Sequence, residues 1–178
     1  MKIFLIGFMG SGKTHWGRLL SKKLGLAFFD LDTVIVEQEK KSVADIFADK
    51  GEEYFRYKET EALERIVEGE DGFILSCGGG TPCFFNNIEF MKKSGKVIWL
   101  NTSIEALKER LQRERKTRPL IKAVDDADLD RYIVKKLSER RMYYQQADVT
   151  VNEESVTLDE LIKLLFQSEK PDRMKEEL

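Results

Sequence analysis

The sequence predicts an α/β fold built on a parallel β-sheet. Segments with strand-like and helix-like patterns alternate along the whole 178-residue chain, as they do where helices connect parallel strands. Several strand-like segments are short and almost continuously apolar, which is typical of strands covered by helices on both faces. A glycine-rich loop stands directly after the first strand and before a helix, which fits the same architecture.

The strands and the helix starts can be placed in chain order. The candidate strands are residues 2–6, 27–30, 73–76, 96–100 and 148–151. Spacings typical of helix N-caps occur at Ser42 and Asp45, at Thr102 and Glu105, and at Thr157 and Glu160. Such caps satisfy the backbone N–H groups that a helix start leaves without partners. A further helix is predicted over residues 127–146.

Composition limits the class of protein. The chain is 42% apolar with a formal net charge of −2, so it can form one adequate core but offers no broad basic surface for nucleic acid. The sequence contains no run of 18 apolar residues, so it predicts no membrane-spanning helix. Cys77 and Cys83 are the only cysteines and His15 is the only histidine. These counts are too low for a zinc site and favour a cytoplasmic protein with reduced thiols. Without a coiled-coil pattern, a monomer is expected.

Two segments depart from the alternating pattern. Residues 113–126 are basic first and acidic last, with Pro119 inside, which predicts a mobile loop rather than a core element. Residues 169–178 are mostly charged and are expected to form a frayed tail. The sequence therefore predicts a single domain over residues 1–168.

The glycine-rich loop predicts a nucleotide site. Residues 7–14 read Gly-Phe-Met-Gly-Ser-Gly-Lys-Thr and match the phosphate-binding P-loop pattern G-x-x-x-x-G-K-[ST]. Glycines let backbone N–H groups approach phosphate oxygens, and the following helix turns its positive end toward the same anion. Lys13 can reach the outer phosphates and the Thr14 hydroxyl can ligate Mg²⁺. We expect a nucleoside triphosphate bound with Mg²⁺.

A pair of carboxylates follows the second strand. If Asp30 and Asp32 are both extended, they point to the same face, at the sheet edge where ligands bind. One can serve the metal through water, and the other can orient or deprotonate a substrate hydroxyl. The alternative is that one of them only caps a helix starting near Thr33.

Arg56 and the triple glycine are candidates for the acceptor side. Arg56 can bind a carboxylate with two hydrogen bonds, or it can merely pair with Glu52 on one helix face; the residues leave both options open. Gly78–Gly80 follow the third strand, where backbone N–H groups can approach a ligand closely. The alternative there is a flexible turn.

Further arginines lie in the second half of the chain. Arg118 in the predicted mobile loop can close over the nucleotide and stabilise charge on the transferring phosphoryl group, or it can belong to a solvated basic loop. Arg140 falls within the apolar stripe of helix 127–146 and has no carboxylate three or four residues away. Binding of an anion explains that position better than an arginine that reaches out to solvent.

These motifs together resemble the shikimate kinase family. The resemblance runs from the P-loop to about Val151 and rests on an ordered set. Its members are residues 7–14, Phe-Asp-Leu-Asp at 29–32, Gly-Glu-x-x-Phe-Arg at 51–56, Gly-Gly-Gly at 78–80, Arg-Pro-Leu at 118–120 and Arg-x-x-Tyr-Tyr-x-x-Ala-Asp at 140–148. Many functions share a P-loop alone, whereas the ordered set is specific.

The resemblance implies ATP-dependent phosphorylation of the shikimate 3-hydroxyl, a step toward chorismate and the aromatic amino acids. It implies a three-layer α/β/α P-loop kinase with a five-stranded parallel sheet and a mobile lid, here about residues 113–126. Lys13, Asp32 and Arg118 would be catalytic, and Thr14 with Asp30 would hold Mg²⁺. The residues that would contact ATP are Gly10, Ser11, Gly12, Lys13, Thr14, His15 and Arg118. Those that would contact shikimate are Asp32, Arg56, Gly78, Gly79, Gly80 and Arg140.

The chain departs from the family pattern in three places. Residues 140–144 lack a proline that family members often have, so Arg140 and Arg141 both stay candidates for the second carboxylate-binding arginine, with the apolar stripe favouring Arg140. The adenine-contacting arginine stays open among Arg110, Arg113 and Arg115. Residues 152–155, which should close the adenine site, contain no distinctive residue to carry over. A gluconate-type kinase and a regulatory P-loop switch are the alternative functions.

Overall fold

The computed structural model of the protein describes residues 1–114 and 124–167. Most of the predicted lid, including Arg118, lies outside the described residues, and so does the predicted tail, 169–178. No helix within the described ranges is long and apolar enough to cross a membrane.

A five-stranded parallel sheet forms the centre of the molecule. Its strands are β1 (Lys2–Ile6), β2 (Ala27–Asp30), β3 (Phe73–Ser76), β4 (Lys96–Asn101) and β5 (Val149–Asn152). They are hydrogen-bonded in the order β2-β3-β1-β4-β5, and every neighbouring pair is parallel. The predicted strands match these, except that β4 extends one residue further and β5 is shifted by one.

Helices connect the strands. They are α1 (Lys13–Leu24), α2 (Leu31–Glu39), α3 (Val43–Gly69), α4 (Asn87–Ser94), α5 (Ile104–Glu114), α6 (Asp126–Tyr144) and α7 (Leu158–Gln167), with a 3₁₀ turn at Thr81–Cys83. Gly51 breaks the regular geometry inside α3 with φ 82° and ψ 174°. A side chain is strained at that positive φ, so glycine permits a kink at this position. The part of α3 that carries Arg56 begins after the kink.

The helices cover both faces of the sheet, giving three layers. On one face, buried residues of β1, β3 and β4 pack against α2, α3, α4 and α6. On the other face, the alternate residues of the same strands pack against α1 and α7. A smaller cluster joins Phe8 after β1 to α5 and α6. Because side chains alternate along a strand, each strand contributes to both cores, and the predicted α/β/α fold is confirmed.

The predicted helix caps are right in two cases of three. The Ser42 hydroxyl accepts from the Asp45 backbone N–H, and Thr157 and Glu160 bond each other's backbone N–H groups. The cap predicted at Thr102 is wrong by one residue. There Ser103 accepts from the Ala106 N–H, because the strand continues to Asn101 and the helix starts later than its apolar pattern suggests.

Candidate active site

The P-loop joins β1 to α1 at the carboxyl edge of the sheet. Gly7, Gly10 and Gly12 have φ values of 145°, 83° and 83°, a region that strains any other residue. Gly12 stands at the N-cap of α1 without a side-chain cap bond, and the first turn of α1 has no acidic residue. The N-terminal N–H groups of α1 therefore remain available to an anion.

Lys13 and Ser11 complete the loop from inside. The Lys13 ammonium donates to the carbonyl oxygens of Gly7 (3.0 Å) and Phe8 (2.8 Å), which folds its side chain back over the loop. The Ser11 hydroxyl is fully buried and has no hydrogen-bond partner among the described residues. A buried polar atom without a partner is costly, which is consistent with a loop that is completed by a bound anion.

A cleft of about 540 Å³ opens in front of the loop. Its lining includes P-loop residues, both candidate carboxylates and part of the triple glycine. The residues that line it are Met9, Gly10, Gly12, Lys13, Thr14, His15, Asp30, Asp32, Ser76, Cys77, Gly78, Gly79, Arg110, Glu114 and Glu153. Most of the predicted nucleotide residues and three of the predicted acceptor residues, Asp32, Gly78 and Gly79, thus share one cavity.

Asp30 caps a helix, as the sequence offered as an alternative, and it also contacts the P-loop. Its Oδ1 accepts from the Thr33 N–H at 3.3 Å and caps α2. Its Oδ2 accepts from the Thr14 hydroxyl at 2.8 Å. Asp30 therefore connects the start of α2 to the first turn of α1.

Asp32 lies in the first turn of α2, so the prediction that it continues the extended strand is wrong. The chain turns helical at Leu31, whose side chain is fully buried and fixes the start of the helix. Asp32 nevertheless lines the cleft beside Asp30, because the helix begins at the sheet edge. Its carboxylate accepts no hydrogen bond from the described residues.

The surroundings of Asp32 favour its protonated form. The side chain is open to water within the cleft, but the cleft walls exclude bulk water from most directions. This burial, together with the negative charges of Glu59 and Asp30, raises the pKa of Asp32 to about 6, against the opposing effect of Lys13 and Arg56. A carboxylate with a pKa near the working pH is suited to accepting a proton from a hydroxyl.

Arg56 is buried and held by two carboxylates. Its guanidinium donates to Glu52 from Nε (3.2 Å) and Nη2 (2.9 Å), and to Glu59 from Nη1 (2.7 Å). The Arg56 side chain is only 5% exposed, whereas that of Glu52 is 60% exposed. The Arg56–Glu52 ion pair that the sequence offered as an alternative is therefore present. It joins a buried arginine to an exposed glutamate.

The triple glycine packs directly on the charged side chains. A Cβ atom built on Gly78 would lie 2.3 Å from Glu59 Oε1, and one on Gly80 would lie 2.6 Å from the Arg56 guanidinium carbon. A Cβ on Gly79 would lie 3.1 Å from Arg140 Nη1. Real Cβ atoms essentially never approach as closely as those at Gly78 and Gly80 would, and the contact at Gly79 would be unusually tight. Contact with neighbouring side chains, rather than turn geometry, therefore favours glycine here.

Arg140 and Arg141 have different surroundings, although they are neighbours on α6. Arg140 is 9% exposed, and its guanidinium carbon lies 5.6 Å from the centre of the Phe8 ring. Tyr144, one turn later, donates from its hydroxyl to the Gly79 carbonyl at 2.5 Å. Arg141 is exposed and lines a separate cavity of about 490 Å³. Arg140 is thus the arginine that meets the triple glycine.

The structure does not bring every predicted residue to the cleft wall. Arg56, Gly80 and Arg140 do not line the cleft, although both arginines contact the triple glycine. Arg118 lies outside the described residues. Within the described ranges, no group of three or more His, Cys, Asp or Glu side chains could hold a metal ion unaided.

Two residues that sequence reasoning did not assign complete the nucleotide side. Arg110 was one of three open arginines, and Glu153 lies in the segment judged to lack a distinctive residue. Both line the cleft, and they form an ion pair at 2.8 Å. An acidic residue directly after β5, at the carboxyl edge of the sheet where ligands bind, was the signal that could have identified Glu153.

Comparison with known proteins identifies the family. The family model described as "Shikimate kinase" matches residues 9–168. The chain belongs to the shikimate kinase family. A shikimate kinase of Azobacteroides pseudotrichonymphae is 41% identical over 165 residues, covering 93% of this chain and 97% of the relative.

Solved structures agree with this membership. The crystal structure of shikimate kinase from Bacteroides thetaiotaomicron superimposes with a TM-score of 0.84 at 34% identity, covering 94% of this chain and 95% of that one. The Acinetobacter baumannii shikimate kinase in complex with shikimate gives a TM-score of 0.83 at 30% identity, covering 98% and 95%. The family and the P-loop kinase fold predicted from the sequence are confirmed.

Proposed function

We propose that the protein phosphorylates the 3-hydroxyl of shikimate, with ATP as the phosphoryl donor. One observation carries the proposal beyond family membership. Arg56 and Arg140 are both buried against the Gly78–Gly80 segment, whose front lines the same cleft as Lys13 and Asp32. Two guanidinium groups at this segment can bind the carboxylate of a small acid. The hydroxyl of that acid can then face the P-loop.

On the nucleotide side, the residues proposed to bind ATP are Gly10, Ser11, Gly12, Lys13, Thr14 and His15, with Arg118 in the same role from the family resemblance. Backbone N–H groups of the loop and the Lys13 ammonium bind the phosphates and stabilise the charge that develops during transfer. The Lys13 ammonium bonds two loop carbonyls, which holds it against the loop where the phosphates are proposed to bind.

The chain also has suitable ligands for Mg²⁺. The Thr14 hydroxyl donates its proton to Asp30, which leaves the hydroxyl lone pairs free to ligate a hard cation. We assign Thr14 as the direct protein ligand and Asp30 as its support. When bound, Mg²⁺ supplies charge neutralisation on the transferring phosphate oxygens.

On the acceptor side, Arg56 and Arg140 are proposed to bind the shikimate carboxylate, and Gly78, Gly79 and Gly80 to bound its site. Glu52 is the partner of Arg56 that can be displaced, since it is mostly exposed while Glu59 is buried. Asp32 is proposed to accept the proton of the attacking hydroxyl. Its raised pKa makes it a stronger base than an ordinary carboxylate.

The proposal extends to the state of the protein in the cell. We propose a cytoplasmic monomer, because the two cysteines are free and the sequence has no coiled-coil pattern. A sedimentation measurement that gave a stable dimer would contradict the monomer.

A coupled ADP-release assay tests the function. The same enzyme preparation receives shikimate, gluconate or no acceptor, with saturating ATP and Mg²⁺. We expect ADP release with shikimate, but not with gluconate or without an acceptor. Turnover with gluconate in preference to shikimate would assign another acid, and equal ADP release without any acceptor would indicate a nucleotide hydrolase or switch.

A further inference from the structure

Glu153 connects three elements around the nucleotide cleft. It follows the last residue of β5 and is 9% exposed. Its Oε1 accepts from the Trp16 indole N–H of α1 at 3.1 Å, and its Oε2 accepts from Arg110 Nη1 of α5 at 2.8 Å. Oε2 also accepts from the Thr102 hydroxyl, which stands just before α5, at 3.5 Å. A buried carboxylate requires such partners, and Trp16 and Arg110 belong to two helices that border the cleft.

Arg110 is fixed through a single nitrogen. Besides Glu153, its Nη1 donates to the carbonyl oxygen of Gly10 in the P-loop at 3.0 Å. The two hydrogens of this nitrogen are therefore both used. Among residues 1–114 and 124–167, no hydrogen bond engages its other nitrogens. The side chain is 33% exposed and lines the cleft.

The position of Glu153 makes direct contact with phosphate unfavourable. A Cβ atom on Gly12 would lie 3.0 Å from Glu153 Oε1, so this carboxylate stands close to the predicted phosphate site. A carboxylate repels phosphate at such a distance unless a cation neutralises it. Arg110 supplies that cation, so Glu153 acts on the nucleotide through Arg110.

We propose that Glu153 is a positioning residue for the nucleotide, which holds Arg110 against the P-loop so that its free edge faces the bound ATP. The inference rests on the ATP site proposed above. Trp16 is part of the same arrangement, because its indole fixes the second oxygen of Glu153 and so sets the direction in which the carboxylate faces Arg110.

Glu153→Gln tests this with little change in volume. An amide has one acceptor oxygen, so it cannot accept from both Trp16 and Arg110, and its NH₂ group faces a donor. We expect the KM for ATP and the Kd for ADP to rise about tenfold, the low end of the effect of a hydrogen bond to a charged group. The KM for shikimate is expected to stay within about twofold.

Glu154→Gln is the matched control. Glu154 is the exposed neighbour, and its carboxylate binds the N–H and hydroxyl of Ser103 rather than the cleft. Its substitution is expected to leave both KM values unchanged. A purely structural role of Glu153 predicts instead that both KM values rise together as the Tm falls, and this result would overturn the proposal.

Two further measurements separate positioning from general packing. In an Arg110→Ala background, Glu153→Gln is expected to add less than about twofold to the Kd for ADP, because its effect passes through Arg110. The two tryptophans give two indole N–H signals in NMR spectra, assigned with Trp99→Phe. The Trp16 signal should shift in Glu153→Gln but not in Glu154→Gln.

An unchanged Kd for ADP in Glu153→Gln, or a full tenfold effect in the Arg110→Ala background, would contradict the inference. The ADP titration needs no acceptor, so it tests Glu153 even if the coupled assay assigned a different acid. A protein that binds no ADP at all would refute the proposed ATP site itself.

Discussion

The two halves of the cleft are built in opposite ways. The phosphate-binding part of the nucleotide half, residues 7–15, is one continuous segment that presents mainly backbone groups at positive-φ glycines. The proposed acceptor half is assembled from side chains of α2, α3 and α6 around the Gly78–Gly80 segment. A phosphate site can thus be encoded in a short motif, whereas a small-acid site depends on how distant elements pack.

Kinetic constants should reflect this difference. Changes in the nucleotide half should act on the chemical step and on ATP, and changes at the arginines and glycines of the acceptor half should act mainly on the KM for the acid. Asp32 belongs to the acceptor half but is proposed to accept the proton, so its substitution should act on the chemical step. Four substitutions test that division, in order of decreasing expected effect.

Lys13→Met should have the largest effect. It keeps the length of the side chain but removes the only charge that the P-loop itself contributes, so kcat is expected to fall about 10³-fold, as for loss of a charge-stabilising group. Steady-state assays with Lys22→Met, an exposed change at the far end of α1, provide the control. A loss of less than tenfold would show that the loop backbone suffices.

Asp32→Asn should reduce kcat by about 10²- to 10³-fold, the usual contribution of a general base. In the unsubstituted enzyme, kcat/KM at limiting concentrations of both substrates should fall as the pH drops through about 6, because Asp32 then becomes protonated. Asp32→Asn should lack this acidic limb, and Glu37→Gln on the exposed side of α2 should retain it. If Asp32→Asn showed the same fall of kcat/KM at low pH, the pKa would belong to another group.

Arg140→Lys should raise the KM for shikimate about 10- to 30-fold, since lysine keeps the charge but not the planar pair of donors. The KM for ATP should change little. Arg141→Lys is the matched comparison on the same helix, and it should leave both constants within about twofold. The reverse result would move the acid site to the other cavity.

Gly80→Ala should give the smallest effect, a rise of roughly 3- to 10-fold in the KM for shikimate. The new methyl group would meet the Arg56 guanidinium at 2.6 Å and displace it, and a misplaced guanidinium binds a carboxylate less well. Gly69→Ala is a suitable control because nothing lies within 4 Å of its added Cβ. A rise confined to the KM for ATP would break the division between the halves.

The same division explains what the sequence could predict. The strands and the P-loop follow from local patterns, because buried parallel strands are apolar runs and phosphate binding needs fixed glycine spacing. Thr102 and Ser103 can both cap a helix, and only the end of β4 decides which of them does. The local pattern therefore predicts the wrong one. Asp32 was expected in a strand, since no local signal marks the helix start at Leu31.

Contacts between distant residues were the least predictable part of the site. Arg140 could be favoured over Arg141 from its helical stripe, but its contact with Gly79 depends on the packing of α6 against the 3₁₀ turn at Thr81–Cys83. Glu153 acts through residues 43 and 137 positions away in the chain. No local pattern reports such a contact, so a sequence motif locates the nucleotide but not the side chains that orient it.

The strand order also bears on how the chain folds during synthesis. β1 is the central strand, and its hydrogen-bonded neighbours are β3 and β4. When the ribosome has made the P-loop, neither neighbour yet exists, and residues 15–76 must be added before β3 can pair with β1. The earliest functional motif of the chain is therefore held in place only after its middle has been translated, and β1 remains an unpaired apolar segment until then.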